Sequence, residues 1–255
     1  MKYQISFSGG LGSAVTALVA HETHLDFNLI FADTLVEDPD LYRFNADVAA
    51  AVGKEIVHLR DGRTPWDVYV DKKWIGNTRT AHCSTELKTI PVMKWLETNS
   101  NPDDPLVLGM DLTEEDRVER AIVRWAPRPV ISLLIDMKVD RSQFDDILKR
   151  YNLTPPRLYG MGFLHNNCGG FCCKAGLKQF QLLNEKLPEV YGYHAKEMDR
   201  AMRSIGPTAR PFLRKTINKQ IQYITLTEYR EALTQKSIVV PEFDESGCGC
   251  FTDEG

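Results

Sequence analysis

Serines and glycines near the start of the chain have the types and spacing of an anion-binding loop. Glycines allow a sharp turn and let several backbone N–H groups point at one anion. A helix predicted to begin directly afterwards would add unpaired N–H groups and a partial positive charge. The candidate residues are Ser6, Ser8, Gly9, Gly10, Gly12 and Ser13. They predict a site for phosphate, pyrophosphate or sulfate, and a plain glycine-rich strand-to-helix turn is the alternative.

The six cysteines are unevenly spaced, which in a cytosolic protein of this size favours metal or sulfur chemistry over structural disulfides. Cys83 stands alone, Cys168, Cys172 and Cys173 form a group, and Cys248 and Cys250 form a pair. Intervening glycines let the chain curl, so that thiolates face one zinc ion or iron–sulfur cluster. A redox or persulfide-carrying pair at Cys248 and Cys250 is a third possibility, and free buried cysteines are a fourth.

The order of predicted elements indicates an α/β fold. Apolar residues before the glycine loop, the run Phe27–Ala32 and the run Lys54–Leu59 predict three strands, and a helix is predicted from about Pro39 to Val52. Asp38 is suited to cap that helix. Strands and helices that alternate through short connections predict right-handed crossovers and a parallel, twisted sheet flanked by helices.

Ligands of such sheets bind at the carboxyl ends of the strands. This places Asp33 and Thr34, which follow the second strand, beside the glycine loop. Asp33 could accept a ribose hydroxyl or an amine there, and a simple capping role is the alternative. A further strand is predicted to end at Gly109, ahead of a charged stretch that contains Arg117. That position makes Arg117 and Arg120 candidates for an anionic substrate, although such stretches are usually solvated helix faces. Gly109 is a candidate nucleotide-binding residue.

The composition is that of a globular protein of 255 residues, with 43% hydrophobic residues, 26% charged residues and a net charge of −4. No apolar run approaches the roughly 18 residues of a membrane span, and the start lacks the layout of a secretory signal. These features predict a cytoplasmic protein with no membrane contact.

We expect a nucleotide-binding α/β domain over residues 1–157 and a mostly helical, cysteine-bearing region over 158–255. The basic segment Arg200–Lys219 could bind nucleic acid or pack against acidic surface.

Four segments, in this order along the chain, resemble the phosphoadenosine-phosphosulfate (PAPS) reductase-like branch of the PP-loop superfamily. They are the Ser-Gly-Gly loop Ser6–Ser13, the segment Phe31–Thr34 with Pro39 and Tyr42 after it, the segment Cys83–Lys88, and the region Leu158–Cys172. The resemblance implies an adenine nucleotide α-hydrolase-like fold. It also implies that ATP or a related adenine nucleotide lies across the strand ends, with Mg²⁺ as a candidate metal, and with its phosphate or sulfate end in the glycine loop.

Some members of this superfamily, including assimilatory reductases and DNA phosphorothioation sulfurtransferases, carry a [4Fe-4S] cluster. By that analogy Cys83, Cys168 and Cys172, with Cys248 or Cys250, would hold such a cluster, and zinc is the alternative. The chain also departs from the family. Adenylating members usually have Asp where this chain has Gly12, and reductases usually end in a Glu-Cys-Gly-X-His segment that is absent here.

Three functions follow as hypotheses. The favoured one is ATP-dependent sulfur transfer or adenylation on a nucleic acid or nucleotide acceptor, with a sulfur donor protein as a candidate partner. The others are a sulfonucleotide reductase and a non-catalytic nucleotide-binding protein. In the favoured mechanism the loop holds the β and γ phosphates, while Lys88 and Arg117 neutralise charge on the leaving group. A thiolate or persulfide of Cys248 or Cys250 is the nucleophile.

Overall fold

A five-stranded parallel sheet forms the centre of the computed structural model, which describes residues 1–77, 80–217 and 220–241. The strands are β1 (Tyr3–Ser6), β2 (Phe27–Asp33), β3 (Ile56–Arg60), β4 (Leu106–Leu108) and β5 (Val130–Ile131). Their order is β3-β2-β1-β4-β5, and all neighbours are parallel. The predicted α/β class is therefore confirmed.

Helices cover both faces of this sheet. The helices between residues 11 and 150 are α1 (Leu11–Glu22), α2 (Pro39–Val52), α3 (Pro65–Asp71), α4 (His82–Ser84), α5 (Ile90–Asn99), α6 (Glu115–Trp125), α7 (Leu133–Asp136) and α8 (Phe144–Arg150). Successive strand residues point to opposite faces. Leu29 accordingly packs with α1, α2, α7 and α8, whereas its neighbour Ile30 packs with α5 and α6. Among the helices of the described residues, none combines the length and the apolar composition needed to cross a bilayer.

The local signals at the start of α2 act as predicted. The Asp38 carboxylate accepts a hydrogen bond from the backbone N–H of Asp40 at 2.9 Å, and Pro39 occupies the first helical position. Gly53 ends the helix in the left-handed conformation, with φ of 63°. Cap, proline and terminal glycine together define where the helix begins and ends.

The C-terminal part is mostly helical, as predicted, and also contains an antiparallel hairpin. Its elements are α9 (Arg157–Gly160), α10 (Leu177–Lys186), α11 (Pro188–Ile205), β6 (Leu213–Ile217), β7 (Gln220–Ile224) and α12 (Leu226–Thr234). The sequence did not predict the hairpin. Trp66 and Tyr69 of α3 belong to the apolar core of this part. Packing therefore crosses the boundary expected at residue 157, and the division into two domains stays a prediction.

The winding of the sheet reverses between β1 and β4. Strands β2 and β3 lie on one side of β1, and β4 and β5 lie on the other. In open α/β sheets the crevice outside the carboxyl ends of two such strands is the usual place for a ligand. Here that crevice begins at Ser6 and Leu108, which are register partners at the ends of β1 and β4.

Candidate functional site

A cleft of about 140 Å³ opens at this reversal point. It brings together most of the residues predicted to bind an anion or to act on it: Ser6, Ser8, Gly10, Gly12, Ser13, Lys88, Gly109 and Arg117. Three of the predicted residues do not line it. Gly9 faces Leu41 and Asn45 of α2, Asp33 lies one strand away, and Thr34 lines a different cavity.

The glycine loop has the donors that an anion site requires. Gly10 is the N-cap of α1 and has no side chain to cap it, so the first-turn N–H groups of the helix lack partners within the helix. The Ser13 hydroxyl donates to the Gly10 carbonyl at 2.9 Å and accepts from the Ser8 N–H at 3.2 Å. Tyr159, from α9, accepts the Leu11 N–H at 3.3 Å. The loop is therefore internally ordered, and Ser8, Gly10, Leu11, Gly12 and Ser13 all line the cleft.

Charged residues form another part of the cleft wall. Arg117 is paired with Glu114, and its Nε is buried without a hydrogen-bond partner in the described part of the chain. Arg141 Nη1 lies 3.8 Å from Asp111 Oδ2. Asp111 is buried and also accepts the Thr113 N–H at 2.9 Å. Asp111, Glu114 and Arg141 were missed from the sequence, and the position of Asp111 after β4 is the signal that could have found it.

Asp33 is already bonded within the protein. Its carboxylate accepts hydrogen bonds from the Leu35 N–H, the Tyr42 hydroxyl and Arg60 Nε, each at 2.9 Å. Burial, and then the hydrogen bond to Asp33, raise the pKa of Tyr42 above its usual range. A role of Asp33 in holding a ribose or an amine stays a prediction, because these contacts already use both carboxylate oxygens.

Lys88 lies between the cleft and a second cavity and lines both of them. Its position depends on a π-helical turn, Thr85–Thr89, which joins α4 to α5. Such turns are uncommon and recur at functional sites. The Lys88 side chain is buried, and its positive charge lowers the pKa of Glu37, against the larger effect of burial, which raises it.

The second cavity is lined by four cysteines, Cys83, Cys168, Cys172 and Cys173. The structure therefore brings together the three predicted ligands within its described residues and adds Cys173, whose signal in the sequence is its adjacency to Cys172. The cavity is small, about 20 Å³. The Tyr69 hydroxyl lies 3.3 Å from Cys83 Sγ. Cys248 and Cys250 lie outside the described residues, so their predicted roles are unplaced.

Cys168 begins a left-handed turn that packs against the segment following β2. The φ angles of Cys168, Gly169 and Gly170 are 51°, 62° and 84°. The Cys168 N–H donates to Glu37 Oε2 at 2.5 Å, and the Thr34 hydroxyl donates to Glu37 Oε1 at 2.8 Å. Glu37 thus connects the cysteine turn to the end of β2, next to the strand that carries the glycine loop.

Comparisons with known proteins give one family match and several structural matches. Residues 2–124 match the family model of the phosphoadenosine phosphosulfate reductase domain. This match to the N-terminal part of the chain supports the resemblance to the PAPS reductase-like branch of the PP-loop superfamily. Among solved structures it is similar to the phosphate complex of phosphoadenylyl-sulfate (PAPS) reductase from Candida auris, with 18% identity and a TM-score of 0.45 over 64% of this chain and 78% of that chain. No curated protein matches the chain.

Proposed function

We propose that the protein is an enzyme that binds an adenine nucleotide in the cleft between β1 and β4 and uses it in sulfur chemistry. The observation that carries this proposal is the position of Lys88, which lines both the cleft and the cysteine cavity. The charged end of a bound nucleotide and the cysteine sulfurs would then lie on two sides of one ammonium group. The family supports a nucleotide substrate and an enzymatic role.

In the proposed complex the glycine loop binds the phosphate or sulfate end of the nucleotide. The first-turn amides of α1 and the hydroxyls of Ser8 and Ser13 donate to its oxygens. Lys88 and Arg117 neutralise the negative charge that develops on the leaving group. Arg117 suits this role because its buried Nε has no acceptor in the described part of the chain.

The first candidate reaction is ATP-dependent sulfur transfer to a nucleic acid or nucleotide. A carbonyl oxygen of the acceptor attacks the α phosphorus of ATP, and pyrophosphate leaves. The terminal sulfur of a persulfide on Cys248 or Cys250, supplied by a sulfur donor protein, then attacks the activated carbon, and AMP leaves. The thiolate of the other cysteine breaks the S–S bond, so that the acceptor keeps one sulfur. The resulting disulfide is reopened by a dithiol reductant.

The second candidate reaction is sulfonucleotide reduction, which the family model over residues 2–124 favours. A cysteine thiolate attacks the sulfate sulfur of PAPS, and adenosine 3′,5′-bisphosphate leaves. A second thiolate then attacks the cysteine sulfur, which releases sulfite and forms a disulfide. A non-catalytic nucleotide-binding protein is the third possibility, because Gly12 stands where adenylating relatives usually have Asp.

Incubation with ATP, and separately with PAPS, tests these alternatives. Bulk tRNA and DNA are supplied as acceptors, a persulfide-bearing protein as sulfur donor, and a dithiol as reductant. Release of pyrophosphate and incorporation of sulfur support the first reaction, sulfite supports the second, and binding without turnover supports the third. The control is Gly10→Glu, which places a carboxylate at the N-cap of α1 and should abolish binding. Failure of the wild-type protein to bind either nucleotide would overturn the proposal.

We also propose the cysteine cavity as the candidate site of a [4Fe-4S] cluster or zinc. Thiolates suit both groups in type. In the present arrangement these side chains are not placed to hold either group, because the described residues contain no set of three ligands positioned for a metal and about 20 Å³ is room for roughly one water. Binding would therefore require the cysteines to rearrange. Anaerobic purification with an absorption spectrum and metal analysis tests the assignment, with Cys83→Ser as the variant expected to lose the metal. A metal-free wild-type protein would contradict it.

The basic segment Arg200–Lys219 is the candidate binding site for a nucleic-acid acceptor. Lys219 lies outside the described residues. Arg214 on β6 is exposed, whereas Arg200 is paired with Asp67 at 2.9 Å and Glu197 at 2.7 Å. We therefore expect Arg214→Gln to weaken tRNA or DNA binding and to reduce its salt dependence, and Arg200→Gln to change it less. Equal binding by the two variants and the wild type would contradict nucleic-acid binding by this segment.

A further inference from the structure

Two buried asparagines approach Gly9 from different parts of the chain. Asn45, on α2, is 1% exposed, and neither its Oδ1 nor its Nδ2 has a hydrogen-bond partner in the described part of the chain. Asn166 is also 1% exposed. Its Nδ2 donates to the Gly9 carbonyl at 3.2 Å, while its Oδ1 is buried without a partner among the described residues.

An asparagine without hydrogen bonds at position 45 lowers the stability of the folded protein. A buried amide that forms no hydrogen bond loses its interactions with water and gains nothing in return. The neighbouring buried residues on the same face of α2 are apolar: Leu41, Phe44 and Val48. In this conformation the protein would therefore be more stable with an apolar side chain of similar volume at position 45. A buried polar group without hydrogen bonds calls for an explanation, and such groups recur at functional sites.

The glycine loop has two adjacent glycines at the place where Asn45 approaches it, and these give its backbone freedom to rearrange. Asn45 Oδ1 lies 2.7 Å from the position that a Cβ of Gly9 would occupy, so the amide is directly beneath the loop. Gly9 has φ of +75°, and Gly10 follows it. Because neither residue has a side chain, the peptide unit between them can rotate with little steric cost.

The present orientation of that peptide does not favour an anion in the cleft. The Gly9 carbonyl points towards Asn166, which lines the cleft, and Asn45 does not line it. In a trans peptide the C=O and N–H groups point in opposite directions. The Gly10 N–H has only a long contact, 3.4 Å, with the Ser8 hydroxyl. Rotation of the carbonyl towards α2 would turn this N–H towards the cleft.

We propose that Asn45 is a positioning residue for the anion-bound form of the glycine loop. In that form the Gly9 carbonyl accepts from Asn45 Nδ2 instead of Asn166 Nδ2, and the Gly10 N–H donates to the bound phosphate or sulfate. The amide of Asn166, which lines the cleft, is released to contact the same ligand. This inference rests on the proposed anion-binding role of the cleft.

The test compares the full-length wild type with Asn45→Leu, Asn45→Ala and Asn45→Ser. Calorimetric titration with ATP, PAPS and inorganic pyrophosphate gives the affinities, and thermal unfolding without these compounds gives the stabilities. We expect Asn45→Leu to be at least as stable as the wild type and yet to bind the best probe about tenfold more weakly, which corresponds to one lost hydrogen bond. Asn45→Ala and Asn45→Ser leave nearly equal space, but the serine hydroxyl can donate, so Ser should bind more tightly than Ala.

The outcomes separate this inference from the function on which it rests. If the wild type binds none of the three probes, the proposed function fails and the inference falls with it. If the wild type binds and all three variants bind equally well, the inference alone is overturned, because Asn45 is then only a packing defect. A crystal structure with a bound probe should show the Gly9 carbonyl bonded to Asn45, and a carbonyl still bonded to Asn166 would also overturn it.

Discussion

The carbonyl oxygen of Gly109 lies 2.3 Å from the position that a Cβ of Gly12 would occupy. A Cβ on Gly109 would in turn lie 2.5 Å from the Ser13 nitrogen. The start of α1 and the end of β4 therefore meet backbone against backbone, at the reversal point of the sheet. An aspartate cannot occupy position 12 in this arrangement. Without that carboxylate, backbone amides, the serine hydroxyls of the loop and the cations Lys88, Arg117 and Arg141 are among the groups that line the cleft and could bind a polyphosphate.

Gly12→Ala should destabilise the protein because the added methyl group meets backbone atoms that cannot move aside independently. We expect a loss of about 1–3 kcal/mol in the free energy of unfolding, measured with urea. The matched control is Gly192→Ala within α11, where the nearest atom to the new Cβ is Arg230 Nη1 at 3.9 Å. That change should instead add about 0.5–1 kcal/mol. Equal effects of the two substitutions would contradict the close approach of α1 and β4.

Lys88→Met tests the charge that is shared by the two cavities. Methionine keeps most of the apolar stem and removes the ammonium group, so the fold should be retained. We expect the affinity for ATP and PAPS to fall by at least about tenfold, because a buried charge is poorly screened by solvent. The control is Lys94→Met on the exposed side of α5, which should bind as the wild type does. A Lys88→Met protein with normal affinity would remove Lys88 from the binding site.

Local signals explain which parts were predictable from the sequence. The strand, glycine loop and helix at the start follow from short-range patterns, as does the capping of α2 by Asp38. The grouping of Cys83, Cys168 and Cys172 was predicted through the family resemblance, and the described residues do place them around one cavity.

Long-range packing explains what was missed. The contacts of Asp33 include Arg60 from the neighbouring strand, a pairing that no short stretch of sequence encodes. Trp66 lies in a segment without clear periodicity, and its α3 helix packs into the C-terminal core. The π-helical turn that places Lys88 and the hairpin of β6 and β7 depend in the same way on their surroundings, so local propensity does not reveal them.

The buried histidine of the C-terminal core should make the protein sensitive to acid. The Trp66 indole N–H donates to His194 Nδ1 at 3.0 Å, and Phe171 stacks on the imidazole at 3.9 Å. Burial lowers the pKa of His194 to about 3. The unfolded chain, in which this group titrates near pH 6.5, therefore binds the proton more readily than the folded protein does. Stability is lost as the pH falls below about 6.5, and the loss continues to about pH 3.

Between pH 7 and pH 5 the contribution of His194 to this loss is about 2 kcal/mol. Urea unfolding at the two pH values measures it. His194→Leu should be less stable than the wild type at pH 7, because the Trp66 N–H then lacks its acceptor. It should nevertheless lose less stability between pH 7 and pH 5. Identical losses in the two proteins would show that another group causes the acid sensitivity.

Glu37 should hold the cysteine turn in place, since its two oxygens accept from the Cys168 N–H and the Thr34 hydroxyl. In Glu37→Gln one of these oxygens becomes an NH₂ group, which cannot accept, so one bond is lost. We expect amide exchange of Cys168 and Phe171 to become about tenfold faster, with smaller changes elsewhere. The control is Glu185→Gln, which alters only an exposed carboxylate paired with Gln181. Faster exchange throughout the chain would indicate general destabilisation, and unchanged exchange at Cys168 would exclude Glu37 as the residue that orders this turn.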